Sequence, residues 1–217
     1  NDALPRGFRA GAESRMQTAD TLSMANTLQA APAMQAKEMQ AANNGAAPAY
    51  SLLQDSRHLA TLMQANRSLR LGFLSAGGWD THANQGNHSG TLANNLASLA
   101  NALAQLRRTF SEPDDVVLVA SEFGRTCAEN GSRGTDHGHG NTMWLIGSRV
   151  QGGRWHGGWS GLASGNLHEN RDLPVFNDYR AVIAQVLRAT HGMTGSELDR
   201  LFPGFAWDRS LDGLLRA

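Results

Sequence analysis

The chain has 217 residues, with nineteen basic side chains balanced by nineteen acidic ones. That is enough for one sizeable core, with or without an appendage. A neutral balance without a basic block excludes an electrostatic case for nucleic acid or an anionic membrane. No run reaches the roughly eighteen apolar residues of a membrane span, and a single cysteine, Cys127, excludes an intrachain disulfide.

Residues 1–12 read as loop, with Pro5, Gly7 and Gly11. They have neither the apolar core of a signal peptide nor an initiator methionine, so the start reads as an internal point of a longer product. From Glu13 to Asn43 the chain is rich in Ala, Gln and Met, which favour helix. Met16, Leu22, Met24, Leu28, Met34 and Met39 fall at helical intervals, and Pro32 marks a break. Residues 43–48 form a linker. Ser51 to Ser68 predicts a helix with Leu52, Leu59, Leu62 and Met63 on one side. Leu69 to Ala76 reads as a buried strand ending at Gly77-Gly78, and Asp80 and His82 stand on the loop beyond it.

Gly90 to Phe110 is the best-patterned helix, with Leu92, Leu96, Leu99, Leu103 and Leu106 in alternating steps of four and three. The valine-rich run from Val116 to Ala120 predicts a strand buried on both faces. Strand, helix and strand at this spacing predict a right-handed βαβ unit. Thr142 to Ile146 reads as another strand, and the glycine-dense stretch 147–165 as irregular loop. Asp178 to Thr190 predicts a helix capped by Asn177, and Ser196 to Leu201 a last short helix.

In an open α/β sheet, ligands bind beyond the carboxyl ends of the strands. Asp80 and His82 follow one expected strand, Glu122 follows the next, and Asp136, His137 and His139 lie on the excursion after it. Carboxylates and imidazoles converging there need a cation among them. With no thiolate in the set, one or two divalent ions are expected, such as zinc, manganese or calcium. Singly, each residue has a plainer reading: Asp80 in a turn, His82 on a loop, Glu122 paired with Arg125. His88 and His156 are additional candidates, whereas His168 and His191 read as peripheral. Arg125 and Arg133 beside a dication suit a phosphate or sulfate group. Thr81, Ser121, Thr126 and Thr135 supply hydroxyls near it, and Thr81 and Arg125 are the expected catalytic pair.

The chain resembles the family known as domain of unknown function 1501, within the alkaline phosphatase and sulfatase superfamily. The resemblance rests on Gly77-Gly78-Trp79-Asp80-Thr81-His82 with Asn84-Gln85, on Ser121-Glu122-Phe123-Gly124-Arg125-Thr126, on Asn130-Gly131 and on Gly134-Thr135-Asp136-His137-Gly138. Gln151-Gly152-Gly153, Arg171-Asp172-Leu173 and Phe202-Pro203-Gly204 also fit. It implies an α/β fold, a mostly parallel sheet flanked by helices, lacking its amino-terminal strands. It also implies a two-metal site for phosphate or sulfate ester chemistry. The superfamily's Asp-His pair directly follows a strand; here Glu122-Phe123 holds that place, and the ligand set is rearranged accordingly. Residues 1–47 are expected as a helical segment or insertion and 48–217 as the carboxy-terminal part of the α/β domain, joined by a missing amino-terminal part or a second chain. The expected function is metal-dependent hydrolysis of an anionic small-molecule or polymer ester. The alternative is an exported binding or structural protein whose metal cluster only stabilises the fold. Export signals in the family imply a periplasmic or extracellular location.

Overall fold

The computed structural model describes residues 47–48, 51–206 and 209–216. The expected amino-terminal helix with its methionine stripe lies outside them. The described residues divide into two compact units, one of 47–80 with 87–105 and the other of 81–86 with 106–216.

In the first unit, strand β1 (Ala47–Pro48) is followed by helix α1 (Leu52–Ala65), which buries Leu52, Ser56 and Ala60 at helical spacing of four. The chain then passes over α1 at Gly72. A Cβ there would lie 2.8 Å from the Met63 sulfur and 3.0 Å from a Leu59 methyl carbon, so a larger residue would push these two side-chain ends aside. Leu71 and Phe73, on either side of it, are 77% and 57% exposed. The expected buried strand over Leu69–Ala76 is therefore shorter and more open than its composition implies. Only Ala76–Gly77 (β2) is strand, paired in parallel with β1 in the register Ala47↔Ala76. An apolar run reports burial only where other elements cover it, and α1 fills its place at a glycine. Helix α2 (Thr91–Thr109) begins in this unit and ends in the next. Its buried line runs through Ala102 and Leu106, while Leu96 of the leucine stripe is 40% exposed.

In the second unit, β3 (Val116–Val119) is half-buried and pairs antiparallel with β4 (Trp144–Gly147), Val116 opposite Gly147 and Val119 opposite Trp144. Among the described residues β2 is hydrogen-bonded to β1 and β3 to β4. Apolar composition gives a strand no direction; the return of the chain after residue 140 decides it. The connection between β3 and β4 carries most of the candidate site.

Helix α3 (Tyr179–His191) closes the core of this unit: Ala181 is fully buried and packs with Leu211, Leu214, Leu145 and Val182. Burying a leucine of this kind contributes about 2 kcal/mol. The helix ends at Gly192, in the left-handed region with φ 65°. Its amino-terminal cap is Asp178, not the expected Asn177. A cap oxygen must reach an amide two or three residues on, and Asp178 Oδ1 accepts from the Arg180 amide at 2.9 Å. The Asn177 amide instead donates to Ser210 Oγ. Arg180 also grips the Asp178 carboxylate and lies over the Phe205 ring, 4.9 Å from its centroid. Helix α4 (Gly195–Leu201) is held by a capping box in which Thr194 and Glu197 satisfy each other's backbone amides.

The Asp178 cap yields a prediction. Asp178→Ala should lower unfolding free energy near neutral pH by about 1 kcal/mol, read from urea denaturation. Hydrogen bonds from Arg180 hold the Asp178 carboxyl below its ordinary range. A depressed folded value means the contribution is present above the unfolded value of about 3.9 and lost as pH falls through the folded one. The gap between wild type and variant should therefore close in acid. A gap that is absent at neutral pH, or that widens in acid, contradicts this role.

Candidate metal centre

The site starts from a loop clasp in the second unit. The segment 81–86 lies along 130–135 through three backbone bonds: Asn84 N to Ser132 O (3.0 Å), Gln85 N to Arg133 O (2.9 Å) and Thr135 N to Thr81 O (3.2 Å). Gly134 sits where a Cβ would come within 2.3 Å of the His82 carbonyl carbon. A second return runs alongside: Thr126 N donates to Asp136 O (2.9 Å) and Gly138 N to Gly124 O (2.7 Å). A Cβ on Gly138 would come within 2.6 Å of Arg125 backbone. The glycines of Gly124-Arg125 and Gly134-Thr135-Asp136-His137-Gly138 thus permit backbone to lie directly on backbone.

Asn130 ties the clasp together. Its Nδ2 donates to the His82 carbonyl (3.0 Å) and to Asp136 Oδ1 (2.9 Å). Its Oδ1 accepts from the amides of Ser132 (2.9 Å) and Gly134 (3.0 Å). The same Asp136 oxygen lies 2.8 Å from His82 Nδ1. These two hydrogen bonds, from His82 first and Asn130 second, hold the Asp136 carboxyl below its ordinary range, with the charge of Arg125 adding to them. An ionised carboxylate only accepts, so His82 Nδ1 donates to it, and in the neutral imidazole the lone pair is then on Nε2. That Nε2 faces His137 Nε2 at 3.2 Å. Two facing imidazole nitrogens at this distance need a proton or a metal cation between them. Asp80, joined to His82 through Thr81 alone, offers a carboxylate oxygen, and the ligand atoms of Asp80, His82 and His137 all lie within 4.8 Å of one another. All three residues are exposed, and the side chains of His82 and Asp136 retain 46% and 51% of their accessibility. Two imidazoles and a carboxylate on an open surface are a donor set that fits zinc or manganese with positions left over.

Residues 7–202 match the family model described as protein of unknown function (DUF1501). The chain belongs to the DUF1501 family. No curated protein and no solved structure gives a match.

Of the residues singled out in this DUF1501 sequence, the structure gathers Asp80, His82 and His137 into one group, with Asp136 behind His82. It places two elsewhere. Glu122 is exposed at the end of β3 and does not belong to the group. His139 stacks on His168, ring centroids 4.4 Å apart and 18° from parallel. The neighbour that reaches His137 is Phe123, whose ring centroid lies 4.1 Å from the imidazole. His156 Nε2 donates to the Gln151 carbonyl (3.0 Å). Thr81 Oγ1 and Thr135 Oγ1 both donate to Gln85 Oε1 at 2.7 Å, and Arg125 Nε donates to Thr135 Oγ1 at 3.0 Å while its Nη2 bonds the Thr135 carbonyl. Arg125 thus orders the hydroxyl pair, and the Thr81 proton points to an amide oxygen. The sequence reading noted Asn130 and Gln85 only as parts of motifs. Their shared feature, a side-chain amide able to donate and accept at once, is what the clasp uses.

A pair of alanine substitutions tests the clasp. Gly134→Ala should cost about 1–3 kcal/mol, because the added carbon meets backbone that cannot yield. Gly131→Ala, where nothing lies within 4 Å, should stay within about 0.5 kcal/mol of wild type. Equal denaturation midpoints for the two variants would remove the steric account.

Proposed function

We propose that this DUF1501 chain is part of a metal-dependent hydrolase acting on phosphate or sulfate esters, with the ion held by Asp80, His82 and His137. The observation that carries the reading is the facing pair of imidazole nitrogens, 3.2 Å apart, with the far nitrogen of His82 fixed by Asp136. A carboxylate behind a ligating histidine sets its tautomer and raises its basicity. Asn130 holds that carboxylate in turn, so the His82 ring cannot rotate its lone pair away without breaking the clasp. A bound dication would polarise a phosphoryl or sulfuryl oxygen and stabilise the charge that develops on it. Two nitrogen donors favour zinc or manganese over calcium, which takes oxygen. Arg125 orients the Thr135, Gln85 and Thr81 network beside the ligands and contributes positive charge. The mostly parallel, alkaline-phosphatase-like sheet and the periplasmic or extracellular location belong to the same proposal and rest on the sequence resemblance alone.

The second reading is a metal that only cross-links the clasp in an exported binding or structural protein. The three loop-to-loop backbone bonds favour it, because an ion between His82 and His137 would brace the same two segments. The exposure of all three ligands favours an open site, since structural ions are usually enclosed by four protein ligands.

Purified protein should take up zinc or manganese, and saturating metal at about a hundred times its dissociation constant should add about 2.7 kcal/mol of stability. Asp136→Asn keeps the shape and removes the charge behind His82; metal affinity should fall about 10- to 100-fold by calorimetry. Glu122→Gln should change it far less, because Glu122 lies outside the group. Arg125→Lys keeps the charge but loses the fork on Thr135, so it should lower activity clearly. The function itself is tested on aryl phosphate and aryl sulfate esters with each metal, using the longest chain of this protein that contains the domain. Filled metal sites with no ester turned over would leave the cross-linking reading in place of the catalytic one.

A further inference from the structure

Asn130 is followed by Gly131, and that pair carries a chemistry of its own. The backbone nitrogen after an asparagine is placed to attack the side-chain carbonyl carbon. Glycine offers the least resistance, because it has no Cβ to shield its nitrogen and the widest choice of φ and ψ. The Gly131 nitrogen gives its proton to solvent hydroxide and bonds to Asn130 Cγ. The Cγ–Nδ2 bond breaks, and the nitrogen leaves as ammonia with a proton from water. Water then opens the cyclic imide at either of its carbonyls, leaving aspartate or isoaspartate. Nothing is oxidised or reduced: an amide and a water become an acid and ammonia. The chain's other Asn-Gly pair, Asn44-Gly45, lies outside the described residues.

Steric shielding does not protect Gly131, where an added Cβ would meet nothing within 4 Å. The restraint lies in the hold on Asn130. Its backbone donates to Gly134 O (2.8 Å) and accepts from Arg133 N (3.2 Å). The two ends of its carboxamide are held to opposite effect. The Ser132 and Gly134 amides on Oδ1 stand where negative charge grows as nitrogen adds to Cγ, so they favour the attack as the donors of an oxyanion hole do. The His82 carbonyl and Asp136 Oδ1 hold Nδ2, the leaving nitrogen, and oppose it. Ring closure turns the carboxamide away from both, at the cost of two bonds, one of them to a charged acceptor. While segments 81–86 and 130–135 stay paired, that cost prevails. When they part, the bond to His82 goes with them, whereas Ser132 and Gly134 are near neighbours in the chain and keep polarising Oδ1.

We infer that Asn130 is a modification site, an asparagine that deamidates through Gly131 at a rate set by opening of the loop clasp. The product carries a carboxylate where Nδ2 donated to Asp136 Oδ1. Two ionised carboxylates share no proton and repel, so the support behind His82 Nδ1 is lost. The lesion is irreversible, and the chain accumulates it in proportion to the time spent open. This holds whether or not the imidazole pair binds a metal.

The test incubates the purified chain, with chelator, at mildly alkaline pH in native buffer and in urea that unfolds it. Trypsin and mass spectrometry then read residues 126–133 for asparagine, aspartate and isoaspartate. Conversion at Asn130 is expected in urea, and at a rate at least about tenfold lower in native buffer, the factor set by local opening. Asp136→Ala removes one Nδ2 acceptor; it should speed native conversion at least about threefold and leave the rate in urea unchanged. Gly131→Ala should suppress conversion in both conditions. Asn130→Asp, which stands for the product, should move the His82 and His137 ring NMR signals away from their wild-type positions. Equal rates in native buffer and urea, no conversion in urea, a native Asp136→Ala rate equal to wild type, or wild-type ring signals in Asn130→Asp would each overturn the inference. Circular dichroism confirms that each variant is folded, and the wild-type comparison depends on no variant.

Discussion

The side-chain amide of Asn130 has two donor hydrogens and an oxygen that accepts twice, and all four positions are used within one clasp. Everything about the imidazole pair follows from that. Asn130 fixes the Asp136 carboxylate, Asp136 fixes the proton of His82, and the opposite nitrogen of His82 is left facing His137. The same amide holds the His82 carbonyl, so ring and backbone are positioned by one residue. A carboxamide can do this because it donates and accepts without carrying charge; an aspartate in its place would only accept, beside a carboxylate that also only accepts.

The glycines set how close the clasped strands of chain can come. At Gly134 and Gly138 the facing atoms are backbone, which cannot rotate aside as a side chain does. Arg133 and Asn84 take the left-handed conformation, with φ of 60° and 48°, and so turn the two loops back on themselves. This strain is tolerated where the surrounding hydrogen bonds over-determine the backbone. The result is a set of exposed imidazole and carboxylate atoms on a backbone that is held firmly from behind.

Arginine serves internal geometry in the second unit. Arg125 orders Thr135, and Arg180 braces the Asp178 cap and covers Phe205. Arg149 ties three segments together, donating to Asp114 Oδ1 and to the Arg216 and Ala189 carbonyls. These last are contacts between residues far apart in the chain, and the neutral net charge carries no trace of them.

The sequence by itself determined the helices and singled out the candidate side chains. The spacing of Leu52, Leu59 and Leu62 gave α1, the leucine stripe gave α2, and Asp80, His82, Glu122, Asp136, His137 and His139 stood out because imidazole and carboxylate on glycine-bounded loops are few and chemically distinctive. The Thr194-x-x-Glu197 capping box marks the start of α4 by a purely local rule, one that places the helix a residue earlier than the expected Ser196. What only the tertiary structure decided depends on partners far away in the chain. The run Leu69–Ala76 is apolar but largely uncovered, and β3 takes an antiparallel neighbour, because pairing is set by where the chain returns. His139 and His137 are two residues apart and equally good ligands on paper. The return at Gly138 sends one toward His82 and the other onto His168, and no rule of composition or spacing distinguishes them. Asn130 was silent for the same reason: an asparagine before a glycine reads as a turn, and only its contacts reveal the part it plays.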